Sequence, residues 1–251
     1  MGVSGNASER EASGWFTTTH WTVVLQARDD TSPAAAGALS TLCQTYWAPI
    51  NTYIRRVGQN SSDADDLTQQ FFARFLEKQQ HRLADRERGK FRTFLLTAVK
   101  HFLINEWERS SAQKRGGGRT PLSLDEEATE DGQPRIELKD ERTAERSYEQ
   151  SWALTLLAHV RAKVEAEYRK DGKAERFAQL EKFLPGEESD MTYAEAAMRF
   201  GVAEGTIKSD VHRLKARYRE VLRQEIAHTV SSPAEIDDEL RYLVAILGQP
   251  R

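Results

Sequence analysis

Cysteine is nearly absent. The 251 residues hold one, Cys43, which rules out an internal disulfide and any zinc site built on several thiolates. Long apolar runs are missing as well: no stretch approaches the ~20 residues a membrane-crossing helix needs. No secretory leader is read at the start, so the protein is expected in a reducing cytoplasm, away from membranes. The six histidines follow no H-E-x-x-H or comparable spacing, and no G-x-G-x-x-G or phosphate-binding loop occurs. "RGKFRT" at 88–93 lacks the upstream glycine of such a loop. Catalysis, a cofactor and a bound metal are therefore not expected. Basic excess is lacking too. Thirty-six Lys and Arg against 39 Asp and Glu leave a net charge of −3, so any contact with nucleic acid must be local or assisted by a partner.

Strand signals are scarce, whereas helical periodicity recurs. Apolar residues fall at Leu39, Leu42, Tyr46 and Ile50, then Tyr53, Ile54 and Val57, then Leu67, Phe71 and Phe75, which predicts an all-α protein. The pattern breaks at "GGGRTPLSLDEEATEDGQPR", where glycine and proline meet an acidic cluster at Asp125, Glu126, Glu127, Glu130 and Asp131. This predicts an acidic, flexible linker over 116–147 between two helical domains, 15–115 and 148–226, with a C-terminal extension over 227–251.

The second domain opens with a long helix whose buried side is traced by Trp152, Leu156 or Leu157, Val160 and Val164. "MTYAEAAMRF" then has Thr192 as N-cap and Glu195 three residues on, a capping box, with Gly201 directly after the helix. From Thr206 onward Ile207, Val211, Leu214, Tyr218 and Leu222 form one helical face, and Lys208, Ser209, His212, Arg213, Lys215, Arg217 and Arg219 lie off it. Helix, short glycine turn and longer basic helix is the helix-turn-helix pattern, whose second helix enters the major groove. An αα-hairpin with a merely solvated charged face fits the same spacing. In the extension, Ser232 as N-cap, Pro233, Glu235 and a closing Gly248 frame an amphipathic helix bearing Ile236, Leu240, Leu243 and Leu247. That helix is expected to fold back on its own chain, on the second domain or between the two.

"DADDLTQQFFARFLEK" followed by "GKFRTFLLTAVKHFLINEWERSSAQKR" resembles the second domain of bacterial sigma factors of the extracytoplasmic-function group, and "YAEAAMRFGVAEGTIKSDVHRLKARYR" resembles their fourth. The resemblance implies a dissociable, non-catalytic subunit of RNA polymerase that selects promoters and helps open them. It implies that Asp66, Gln69, Gln70, Ala73 and Glu77 dock onto the clamp helices of the largest polymerase subunit. Around the melted promoter element it implies phosphate contacts from Arg88, Lys90 and Arg92, and a base pocket with Phe91 or Phe94 as its wall. Lys100, His101 and Asn105 face roughly the same way, one turn apart, and Arg109 completes the set.

For the distal element the resemblance assigns Lys208, Ser209, His212 and Arg213 to base edges and phosphates, with Lys215, Arg217 and Arg219 in positioning roles. The chain departs from the family where His101 replaces a common Asn, Asn105 a common Asp, and Glu108 with Arg109 a basic pair. Asp210 stands where arginine is common, so one phosphate contact is expected to be missing, and its carboxylate instead accepts from cytosine or simply repels DNA. Two rival functions remain at this level: a stand-alone helix-turn-helix regulator, and a polymerase-binding adaptor without promoter recognition. Control through an anti-sigma protein, phosphorylation or the extension itself leaves no decisive mark.

Overall fold

A computed structural model describes residues 21–28, 34–57, 61–115, 141–185 and 191–248. Among the described residues there are α-helices and short 3₁₀ turns, with no strand. The first unit comprises α1 (Trp21–Ala27), α2 (Ala35–Arg56), α3 (Ser61–Glu77) and α4 (Phe91–Arg115). On α2 the buried side chains Leu42, Tyr46, Ile50, Tyr53 and Ile54 recur every one to four positions along one face. Against it α3 sets Ala64, Thr68, Phe71, Phe72 and Phe75. The rotation of α3 is fixed by Asn51, whose amide donates to Asp65 Oδ1 at 2.8 Å and to Thr68 Oγ1 at 3.2 Å. Edge-on rings close the core: Trp21 of α1 meets Phe91 of α4 at 6.2 Å, and Tyr46 meets Phe91 at 5.5 Å. The expected linker lies outside the described residues up to position 140.

α5 (Glu141–Lys170) starts earlier than its sequence pattern suggests, so residues 141–147 of the expected linker are helix. The cause is burial: Ala144 and Tyr148 are as fully enclosed as Trp152, Leu156, Val160 and Val164, which extends one stripe by two turns. α5 packs along α2 and also against α8 (Glu204–Ala227), so a single hydrophobic core runs through both units. α6 (Ala174–Leu180) folds back under α5, Phe177 meeting Tyr168 edge-on at 5.6 Å.

α7 (Tyr193–Phe200) carries the anticipated capping box, with the Thr192 amide donating to Glu195 Oε2 at 2.7 Å and the Glu195 amide to Thr192 Oγ1 at 3.2 Å. It ends at Gly201, whose φ of 65° is left-handed; Val202 N–H reaches Ala197 O at 3.1 Å and Gly201 N–H reaches Met198 O at 3.4 Å. Those two bonds are a Schellman ending, and they turn the chain directly into α8.

The C-terminal segment enters through a 3₁₀ turn, Pro233–Glu235, and continues as α9 (Ile236–Leu247). Here the expected cap differs. The Ser232 hydroxyl bonds the Glu235 carboxylate at 3.2 Å instead of accepting from a backbone N–H, because the tighter first turn occupies that position. Gly248 ends the helix at φ −76°, without a left-handed residue. α9 packs on α5 and α8 and buries Leu243 and Ile246, with Ile236, Leu240 and Leu247 half-covered. It therefore docks on its own chain.

Candidate nucleic-acid and polymerase interfaces

The packing of Phe71, Phe72 and Phe75 inward forces the other side of α3 outward. Asp66, Gln69, Gln70, Ala73 and Glu77 are all exposed, so the polar strip anticipated from the sequence is open to solvent along its length. Beside it, Trp47 of α2 stacks on Phe72 at 5.9 Å while remaining 40 % exposed. A polar strip flanked by one aromatic plate has the make-up of a protein-docking surface.

On α4 the anticipated residues divide. Phe91 is core, locked between Trp21 and Tyr46, and offers no wall to a ligand. Phe94, half-buried, does line a recess of about 280 Å³ formed with the end of α3 and the turn at Gln80–Leu83. Phe71, Phe75 and Phe102 supply further apolar wall, and Arg74, His101, Asn105 and Arg109 bring polar groups to it. Asn105 donates to its own helix, at His101 O, over 2.7 Å, which leaves its amide oxygen available as an acceptor. Glu106 holds both Arg74 and Arg109, the latter at 2.9 Å. An aromatic recess with amide, imidazole and guanidinium groups suits a planar ring with hydrogen-bonding edges.

The cations at the start of α4 are engaged by the rest of the chain. Arg88, paired with Asp85 at 3.5 Å, stays 86 % exposed, but the Arg92 side chain is only 4 % exposed. Its guanidinium bonds Glu149 of α5 at 2.8 Å, lies 2.6 Å from Glu239 of α9, and rests 4.0 Å over the Trp152 ring. Burial works against its charge, and the two carboxylates outweigh burial and hold it protonated. Lys90 pairs with the same Glu239, whose side chain is 1 % exposed, and lies 5.6 Å from the centre of the Tyr242 ring. Lys100 pairs with Glu145 of α5. The expectation that Lys100, His101 and Asn105 share one face is thereby corrected: His101 and Asn105 line the recess, whereas Lys100 turns to α5. Sequence reasoning missed the carboxylates Glu145, Glu149 and Glu239. It missed the burial of Arg92 although that residue lies on one helical stripe with Leu96 and Val99, both buried.

α8 presents its basic side outward. Lys208, Ser209, His212 and Arg213 are exposed, and their acidic neighbours are one turn away: Glu204 holds Lys208 at 2.7 Å and Asp210 holds Arg213. Asp210 is already engaged within the chain, by Arg213 and by a second arginine. Arg176 of α6 donates to it at 2.7 Å, so it anchors α6 to α8. Burial disfavours its charge, yet the bonds from Arg213 and Arg176 prevail and keep its carboxyl below the ordinary range. Arg217 is likewise occupied, donating to Glu167 of α5 at 2.7 and 2.6 Å and pairing with Glu220 at 2.8 Å. Lys215 is half-buried and Arg219 exposed.

Other polar groups are structural. Glu225 is enclosed between α8 and α5, bonded to Lys163 at 2.6 Å with His159 at 3.3 Å. Burial pushes the Cys43 thiol up to about 11, which makes it a poor nucleophile. No group of His, Cys, Asp and Glu among the described residues is arranged to hold a metal, and no described helix is long and apolar enough to cross a membrane.

Compared with known families, residues 43–113 match the model of Sigma-70 region 2. The matched segment is less than a third of the chain and holds the C-terminal part of α2, all of α3 and almost all of α4, which includes the polar strip and the recess. No curated protein and no solved structure matches the chain.

Proposed function

We propose that the chain is a sigma factor of the extracytoplasmic-function group, which brings core RNA polymerase to particular promoters and helps open them. The observation that carries the reading is the match of residues 43–113 to Sigma-70 region 2, on a segment whose outward strip and aromatic recess are both open. In this reading 15–115 is the polymerase-docking and melting domain. Asp66, Gln69, Gln70, Ala73 and Glu77 meet the clamp helices of the largest subunit, and Phe94, His101, Asn105 and Arg109 receive an extruded base. Residues 148–226 form the fourth sigma domain, a helix-turn-helix in which α7 supports α8. Lys208, Ser209, His212 and Arg213 then read the distal element and its phosphates. The net charge of −3 supports a protein that reaches DNA on polymerase rather than alone. Control through an anti-sigma protein and a cytoplasmic location belong to the same reading.

Run-off transcription with purified core polymerase and genomic promoter fragments tests it. The chain with core polymerase is expected to start at defined sites, and the chain without polymerase to hold duplex DNA weakly. Asp66→Arg combined with Gln70→Glu reverses the exposed strip and is expected to abolish co-purification with core enzyme while circular dichroism stays unchanged. Tight duplex binding without polymerase would favour a stand-alone regulator. Core binding without promoter-specific initiation would favour an adaptor.

A further inference from the structure

The cations that a melting face would offer to DNA are met by carboxylates of the same chain. Glu239 of α9 takes Lys90 and stands 2.6 Å from Arg92; Glu149 of α5 bonds Arg92 at 2.8 Å; Glu145 of α5 takes Lys100. These carboxylates come from two helices that follow the matched segment, and they converge on one side of α4. Glu239 is 1 % exposed, so it is not an incidental surface partner. A buried carboxylate is tolerated only where cations compensate it, and here the compensating cations are two of those assigned to promoter phosphates. The contact is reinforced by hydrogen bonds to backbone carbonyls. Gln150 of α5 donates to Ile246 O at 2.9 Å, Arg86 donates to Val230 O at 2.9 Å, and the Ser231 hydroxyl donates to Arg86 O at 2.8 Å. The segment leading into α9 is thus latched to the loop before α4, beside the same cations.

We propose that α9, with the first turns of α5, is an autoinhibitory strap. Its carboxylates occupy the phosphate-binding positions of α4, so that the free chain refuses nucleic acid until the strap lifts. The α3 strip and the recess at His101 and Asn105 stay open in this closed state, so a partner can dock on α3 before the strap moves. The inference rests on the reading of α4 as a DNA-contacting face, and it assigns that face a mode of regulation.

The test uses the full chain and a fluorescein-labelled single-stranded 12-mer of randomised sequence, with binding followed by anisotropy across a salt series. Glu239→Gln keeps the shape and removes the charge. It is expected to bind about tenfold tighter at low salt, with a log–log salt slope steeper by about 0.7 for the one cation released. Adding Glu149→Gln is expected to bring the increase to about 1.4 as a second cation is freed. Adding Lys90→Ala to Glu239→Gln is expected to remove the gain, which a merely loosened fold would not do. Equal affinity and equal slope for the parent and Glu239→Gln overturn the proposal.

If the variants fail to fold, amide hydrogen exchange on the unaltered chain decides. The amides of residues 236–247 are expected to lose protection when core polymerase and a genomic promoter fragment are added together, and retained protection in an initiating complex overturns the strap. Failure to form a complex with core polymerase sinks the functional reading instead, and the oligonucleotide series then judges the strap by itself.

Discussion

On α8, Lys208 and Arg213 reach into solvent, held by carboxylates one helical turn away. At the start of α4, Lys90 and Arg92 are held by largely buried carboxylates 149 and 57 residues distant in sequence. The chemistry of the two sets is the same, and the energetics are not. Exposed pairs one turn apart contribute roughly 0.2–0.5 kcal/mol and exchange readily for another anion. A buried pair costs about 3–5 kcal/mol to break by removing one partner, because the other charge is left enclosed. Cations of the first kind are available to DNA at once. Those of the second kind are available only after a rearrangement that lifts both partners together.

The sharpest contrast is expected from truncating one cation on each helix. Arg92→Ala leaves Glu239 with one cation and Glu149 with none, and is expected to destabilise the fold by about 3–5 kcal/mol in urea denaturation. Arg213→Ala is expected to stay within about 0.5 kcal/mol of the parent in the same assay. Comparable losses from the two would show that the difference in burial carries no energetic weight.

In transcription the order inverts. Arg213→Ala and Lys208→Ala are each expected to weaken promoter use by about 1–3 kcal/mol if a base contact is lost, with co-purification of core enzyme unchanged. Full activity of both at every promoter tested would remove α8 from the reading role.

A smaller change is expected at the support of α8. Thr192→Ala deletes the capping box of α7 and is expected to cost about 1 kcal/mol in thermal unfolding, while Thr192→Ser is expected to restore most of it. If alanine melts with the parent, the cap contributes nothing to the α7–α8 pair.

The mildest effect is a dependence on pH. The carboxyl of Asp210 is held below its ordinary value, so its contribution is complete above about pH 4 and declines as pH falls through the folded value. The stability gap between the parent and Asp210→Asn is therefore expected to be larger at about pH 5 than at about pH 3. A gap that is the same at both would remove Asp210 as the titrating anchor between α6 and α8.

What could be read in advance followed the range of the interaction. The capping box at Thr192 and Glu195 was legible because donor and acceptor are three residues apart, and so was the stripe of Trp152, Leu156, Val160 and Val164 because helical geometry alone sets it. The α3 strip was legible for the same reason, as the complement of Leu67, Phe71 and Phe75. The fate of Arg92 was not. Its neighbours suggested a phosphate contact, and its burial depends on Glu149 and Glu239, which only the tertiary fold brings near. Phe91 and Phe94 had equal claims to a wall until Trp21 and Tyr46 enclosed the first. Asp210 looked like a missing phosphate contact, because its partner Arg176 lies on another helix, 34 residues back.

The distance between Lys90 and Glu239 is also an interval of time. Lys90 leaves the ribosome 149 residues ahead of its partner, and at about 5–20 residues per second that is roughly 7–30 s of synthesis. During that interval Lys90 and Arg92 have no Glu239 to meet. Arg92 gains Glu149 after 57 of those residues, so it is Lys90 that waits out the full interval for its carboxylate.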